Sequence, residues 1–199
     1  PKSALAESLI DTVDQILEYS RKNRSKEQLM RYATNCRHQF KQDNDPRLIP
    51  PLLDFVQEAM QTVRVGDAIS VRHASVALEE ALTTAMYHGN LEFDEKQARD
   101  ACKSYRDGNE FEMVKVRSEQ EPYKSRLVYV GIDISRTKVQ FIIRDQGTGF
   151  DVDALQSCIQ TEHLSELKQR GLTLIRNFMS DVSFNGDGNE IRMTLEMPR

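Results

Sequence analysis

Tryptophan is absent from this 199-residue chain, cysteine occurs three times, histidine four times and glycine nine times. No apolar run approaches the roughly 18 residues that a membrane-spanning helix needs. Glu7, Asp11 and Asp14 interrupt the stretch where a secretory leader would need an uncharged apolar core. The expectation is a soluble, cytoplasmic protein with no membrane partner. Cys36, Cys102 and Cys158 lie far apart, are odd in number and include no C-x-x-C pair. That argues against a disulfide framework or a zinc site, and for three buried or inert thiols in a reducing compartment. His38, His73, His88 and His163 are equally dispersed. None falls in the H-E-x-x-H spacing of a zinc peptidase, and none is followed by Asp or Glu as a phospho-accepting histidine would be.

What is present is apolar material for one core: 39% hydrophobic and 29% charged residues, enough for one domain plus an extension. Thirty-one acids against 27 bases give a net charge of −4, which argues against a dedicated nucleic-acid or anionic-membrane binder. The charge is uneven. Between Arg21 and Lys41 seven bases face one acid, Glu27, so this stretch carries +6 and the remainder −10. An anion-binding arm and a solvated linker helix both fit it, the linker being the commoner origin of such a run.

Along the chain, Leu5, Leu9, Val13, Ile16 and Leu17 recur at helical spacing and predict an amphipathic helix over Ala4 to Tyr19. Ser25 to Gln28 has capping-box form and predicts a second helical start. Asp45-Pro46 predicts another: the Asp carboxylate can accept from exposed N–H groups, and Pro suits the first helical position. The apolar residues Leu48, Leu52, Leu53, Phe55, Val56 and Met60 carry that helix towards Val65-Gly66-Asp67. A longer helix is predicted from about Val71 to His88, stopping at Gly89-Asn90. Residues Phe93 to Tyr123 read as a helical insertion and then a loop. From there the period changes to two. Leu127 to Ser135 and Val139 to Asp145 predict a pair of strands, Leu172 to Met179 a helix, and Val182 to Phe184 with Ile191 to Met197 a final hairpin. Helices first and strands later give an α+β class, a mainly antiparallel sheet with helices on one face.

Three places could carry chemistry. On the helix from Val71, the small residues Ala74, Ala77, Leu78, Ala81, Leu82 and Ala85 suit close packing, while Glu80 and Thr84 converge one turn apart on another face. Asp145-Gln146-Gly147-Thr148-Gly149-Phe150 ends a predicted strand, where glycines permit positive φ and close approach of backbone to a ligand. Arg170-Gly171-Leu172 stands where the last helix is expected to open, so its N–H groups could face phosphate. Each has a plain structural reading, as an exposed carboxylate, a tight turn and a helix start.

Their order and spacing together resemble a known family. Ala77-Leu78-Glu79-Glu80-Ala81-Leu82, Tyr87-His88-Gly89-Asn90, Asp145 to Phe150, Arg170-Gly171-Leu172 and Asn177-Phe178-Met179 are similar to the boxes of anti-sigma-factor serine kinases. These belong to the GHKL ATPases, with gyrase and the sensor histidine kinases. The resemblance covers Arg37 to Met197 and includes Asp45-Pro46-Arg47-Leu48-Ile49-Pro50. It implies a Bergerat-type two-layer α/β sandwich over residues 37–199, preceded by an N-terminal helical segment, 1–36. It also implies an ATP and magnesium site. There Glu80 is the general base, Asp145 holds the adenine amino group, Gly147 and Gly149 shape the floor, Asp151 to Gln169 form a lid, and Gly171 closes the phosphate box.

Two positions depart from the family. Thr84 stands where an Asn amide binds magnesium, and Gln169 where another glycine is usual. The expectation is therefore a serine/threonine protein kinase with an eroded metal and phosphate site, in a bacterial partner-switching pathway of signal transduction and transcription regulation. Its partners would be a sigma factor, an anti-sigma antagonist, or both. The alternative is a nucleotide-free binding module on the same fold. For residues 1–36, a linker, a dimerisation element forming a homodimer and the tail of a response-regulator receiver domain all stay open. A metabolic enzyme has no constellation of residues behind it.

Overall fold

A computed structural model describes residues 13–15, 17–21, 24–25, 28–29, 32–109, 112–152 and 167–197. Among the described residues five strands form one sheet in the order β1-β2-β3-β5-β4, every neighbouring pair antiparallel. They are β1 (Asn35–Gln42), β2 (Val128–Ser135), β3 (Lys138–Arg144), β4 (Asp181–Phe184) and β5 (Glu190–Glu196). Packed with them among the described residues are α1 (Ile49–Val63), α2 (Ala68–Thr83), α3 (Glu95–Arg106), α4 (Glu112–Ser118) and α5 (Leu167–Phe178).

The sheet arises from alternation. Val128, Val130, Ile132 and Ile134 of β2 and Val139, Phe141 and Ile143 of β3 point to one face and are buried. That face receives the helices, and one apolar core joins the two layers. Ala74, Ala77, Leu78, Ala81 and Leu82 of α2 are all buried, so the small-residue stripe sits where the sequence placed it. His73 of α2 stacks on Phe178 of α5 at 4.4 Å between ring centroids, and this contact ties those two helices side by side. Asp45 caps the 3₁₀ turn Pro46–Leu48 that leads into α1, accepting from Arg47 N as expected.

Several boundaries differ from expectation. β1 falls in the basic stretch: Cys36, His38 and Phe40 alternate inward, and His38 and Phe40 meet Phe55 of α1 edge-on. A period of two was therefore present there, hidden among charges. Residues 93–123 form two helices, not one helix and a loop. α3 opens with a capping box, Asp94 Oδ1 accepting from Gln97 N and Gln97 Oε1 from Asp94 N. The predicted helix to His88 keeps α-form only to Thr83 and continues as a π-helical run, Thr84–Asn90. The final hairpin matches closely, its turn held by Asn185 Oδ1 accepting from Asn189 N and Glu190 N. The helix expected over Ala4 to Tyr19, the capping box at Ser25, Cys158 and most of the lid from Asp151 to Gln169 lie wholly or partly outside the described residues. Among the described residues no helix is long and apolar enough to cross a membrane.

Candidate nucleotide site

Glu80 lies on α2, one turn before its end, with its side chain 22% exposed. Removal from water pushes its carboxyl above the usual carboxylate range. The Arg106 guanidinium opposes that shift and Glu79 adds to it. Glu80 Oε1 accepts from Arg106 Nη2 at 3.4 Å. Its other oxygen, Oε2, lies 3.0 Å from the point a Cβ on Gly171 would occupy. The two boxes that were far apart in sequence therefore meet here, with α5 alongside the carboxylate of α2.

Thr84 begins the π-helical run. Thr83 spends its hydroxyl on the Glu79 and Glu80 carbonyls, at 3.0 and 3.1 Å. The Thr84 hydroxyl is half-buried and takes no hydrogen bond within the described residues. π-turns widen a helix and rotate the residues beyond them about its axis, and they concentrate at functional sites. In this protein the widened turn brings Gly89 and Asn90 over the end of β3.

That approach is very close. A Cβ on Gly89 would lie 2.6 and 2.7 Å from the two Asp145 carboxylate oxygens, and one on Gly147 would overlap the Gly89 carbonyl oxygen. Asp145 Oδ1 accepts from Gly147 N at 2.8 Å, and Asp145 N donates to Asn189 O at 3.0 Å. The glycines divide the work. Gly147 supplies close approach, while Gly149 adopts a positive φ of 71° and packs against the Asp187 carbonyl in the β4–β5 turn.

Asn90, read from sequence as part of a helix stop, is the support of this floor. It is 0% exposed. Its Oδ1 accepts from Gln146 N at 2.7 Å, and its Nδ2 donates to Asn44 Oδ1 at 2.8 Å. Asn44, 4% exposed, donates in turn to the Arg126 carbonyl at 3.1 Å, and Arg126 Nη1 donates to the Asn90 carbonyl at 2.8 Å. Buried amides with every partner in place fix a single geometry. Asn44 was visible only as a turn residue, and its pairing with a residue 46 positions away left no local trace. Arg106 and Arg126 were equally hidden in a charged segment.

One expectation changes. α5 starts at Leu167, ahead of Arg170-Gly171, so Gly171 is its fifth residue. The free N–H groups of a helix are its first four, and that of Gly171 is not among them. Its missing side chain instead leaves room for Glu80. The backbone at Gln169 is helical, so no positive φ is required there.

The strand end fits an adenine: a carboxylate that accepts from the Gly147 N–H, in a cradle that any Cβ would fill. The metal end fits less closely. Among the described residues no three His, Cys, Asp or Glu side chains gather to hold a metal. Any magnesium would be carried on phosphates and touch the chain at the Thr84 hydroxyl, directly or through water. Magnesium takes six oxygens at about 2.0–2.1 Å, and a Thr hydroxyl reaches one bond less far than an Asn amide.

A two-layer sandwich with a helix-borne carboxylate above a glycine-shaped strand end defines an ATPase domain of the GHKL type. A family model for the histidine kinase-like ATPase domain matches residues 43–195, about three quarters of the chain, and the protein belongs to that family. No curated protein matches it. Domains of this family bind ATP with magnesium.

Proposed function

We propose that this chain is a bacterial partner-switching regulator of the anti-sigma type. Its domain binds ATP and acts on a serine or threonine hydroxyl of an antagonist protein, or holds a sigma factor. The observation that carries the reading is the meeting of Glu80 with Gly171 at one end of a floor whose other end, beside Asp145, is held at Gln146 by Asn90. Asp145, Gly147 and Gly149 would take the adenine. ATP, when bound, supplies the transferable phosphoryl group. The part of Glu80 is to hold the proton that the partner's hydroxyl releases, and a carboxyl raised by burial is the better base for it.

The competing reading, a nucleotide-free protein-binding module, draws on Thr84 and on the early start of α5. Calorimetric titration of ATP, with magnesium and with EDTA, decides between them. The proposal expects magnesium-dependent binding that Asp145→Asn abolishes and Thr84→Asn strengthens. Absence of binding at millimolar ATP by the wild-type chain would overturn it in favour of the nucleotide-free module.

A further inference from the structure

Residues 91–126 lie between the helix and the strands that make the site, and the proposed chemistry assigns them no task. α3 delivers something specific. Its capped start and the buried Ala98 and Ala101 seat it beside the π-helical run, and its last turn brings Arg106 to Glu80. The contact is long, 3.4 Å, and the Arg106 side chain is 66% exposed. Only one of its five N–H donors is engaged by the described residues. A long, solvent-facing pair of this kind adds little to stability, so holding the fold together does not account for it.

Glu80 thus stands between two neighbours, Gly171 of α5 on one side and Arg106 of α3 on the other. This is the end of the site where Thr84 replaces an amide. We propose that Arg106 is a residue selective for the terminal phosphate. In the arrangement seen here it pairs with Glu80; with a nucleoside triphosphate in the site it transfers its fork to the terminal phosphate oxygens and leaves Glu80 able to accept a proton. Guanidinium matches phosphate geometry with two parallel donors. It also brings positive charge to a corner where a Thr hydroxyl is a short-reaching ligand. A diphosphate ends before that point and leaves Arg106 on Glu80. The inference rests on the ATP-binding reading above.

The test compares ATP with ADP binding by calorimetry, using the whole 199-residue chain, in wild type, Arg106→Ala and Arg106→Lys. Arg106→Ala is expected to weaken ATP binding about ten-fold to a hundred-fold, the worth of a charge-assisted pair, and ADP binding less than about two-fold. Arg106→Lys, which keeps charge without the fork, should fall between. If both nucleotides bind the wild type and Arg106→Ala leaves their ratio unchanged, Arg106 has no such role while the ATP reading survives. If the wild type binds neither nucleotide, both fall together. Arg106 is exposed, so a thermal melt superimposable on wild type is expected for each variant. A collapsed melt would show that the residue is structural and would overturn the proposal.

Discussion

Replacing Asn90 by alanine tests whether the site's floor is held as described. The substitution removes two hydrogen bonds, at 2.7 and 2.8 Å, and leaves the Gln146 N–H and the Asn44 Oδ1 without their partner. A buried polar group stripped of its partner costs about 1–3 kcal/mol. Asn44 is the deeper of the two and bears the full penalty, while Gln146 is exposed and recovers part of its loss from water. The expected cost is therefore about 2–4 kcal/mol, most of it at Asn44. Urea denaturation monitored by circular dichroism measures it, with an unchanged slope showing that the unfolded state is not what moved. A double-mutant cycle with Asn44→Ala sharpens the test. Asn44→Ala alone strands the Asn90 Nδ2, but with both amides gone neither is stranded. The pair should thus cost less than the sum of the singles by about 1 kcal/mol or more. Additive costs, or an Asn90→Ala penalty under about 1 kcal/mol, would refute the idea of a mutually satisfied buried network.

Two further outcomes are expected. Gly149→Ala forces a side chain onto a φ of 71° and into the Asp187 carbonyl, so it should lower stability by about 2–4 kcal/mol. Gly186→Ala in the neighbouring turn meets nothing within 4 Å and should stay within about 0.5 kcal/mol, and equal urea midpoints for the two would contradict the account of that turn. Glu80→Gln reads the raised carboxyl. A raised folded-state pKa means the native state binds the proton more tightly than the unfolded chain. Stability is therefore greatest below the ordinary carboxylate range and declines as pH rises through the folded value. The Gln variant lacks that decline, so its stability relative to wild type should improve between about pH 4 and pH 8, and a constant difference across that range would disprove the burial effect.

How much of this was legible depends on whether the signal was local. The Asp45-Pro46 start, the buried stripe of α2, the β2–β3 pair and the turn at Asn185 each lie within a few residues of what they encode, and each formed as read. β1 was obscured because Arg37 and Lys41 drew the reading to charge, while Cys36, His38 and Phe40 between them kept a period of two. The α3 capping box, Asp94 to Gln97, was present in the residues but lay in a segment without an apolar stripe to announce a helix. The π-helical run had no such signal. Its bonds span one residue more than those of an α-helix, and what favours them is the seating of Gly89 against Asp145, far along the chain. For the same reason the roles of Asn44, Asn90, Arg106 and Arg126 emerged only once the chain was folded.

Burial also separates the two arginines that the inserted segment contributes to the site. Arg126 is largely covered: it donates to the Asn90 carbonyl, pairs with Glu92 at 2.8 Å and lies over the Tyr123 ring at 5.2 Å. A covered guanidinium with three fixed partners has no cheap alternative, because leaving any of them strands charge away from water. Arg106 has one long contact and water around the rest, so exchanging Glu80 for another anion costs it little. Between them Arg117 packs over the Phe93 and Tyr123 rings and donates to the Leu91 carbonyl at 3.1 Å, joining the two ends of the insertion. One segment thereby gives the Asn90 end of the site a fixed brace and the Glu80 end a charge with a single long contact. On the proposed reading, a terminal phosphate competing with Glu80 for Arg106 would meet little resistance, whereas Arg126 would have to leave Asn90, Glu92 and Tyr123 together.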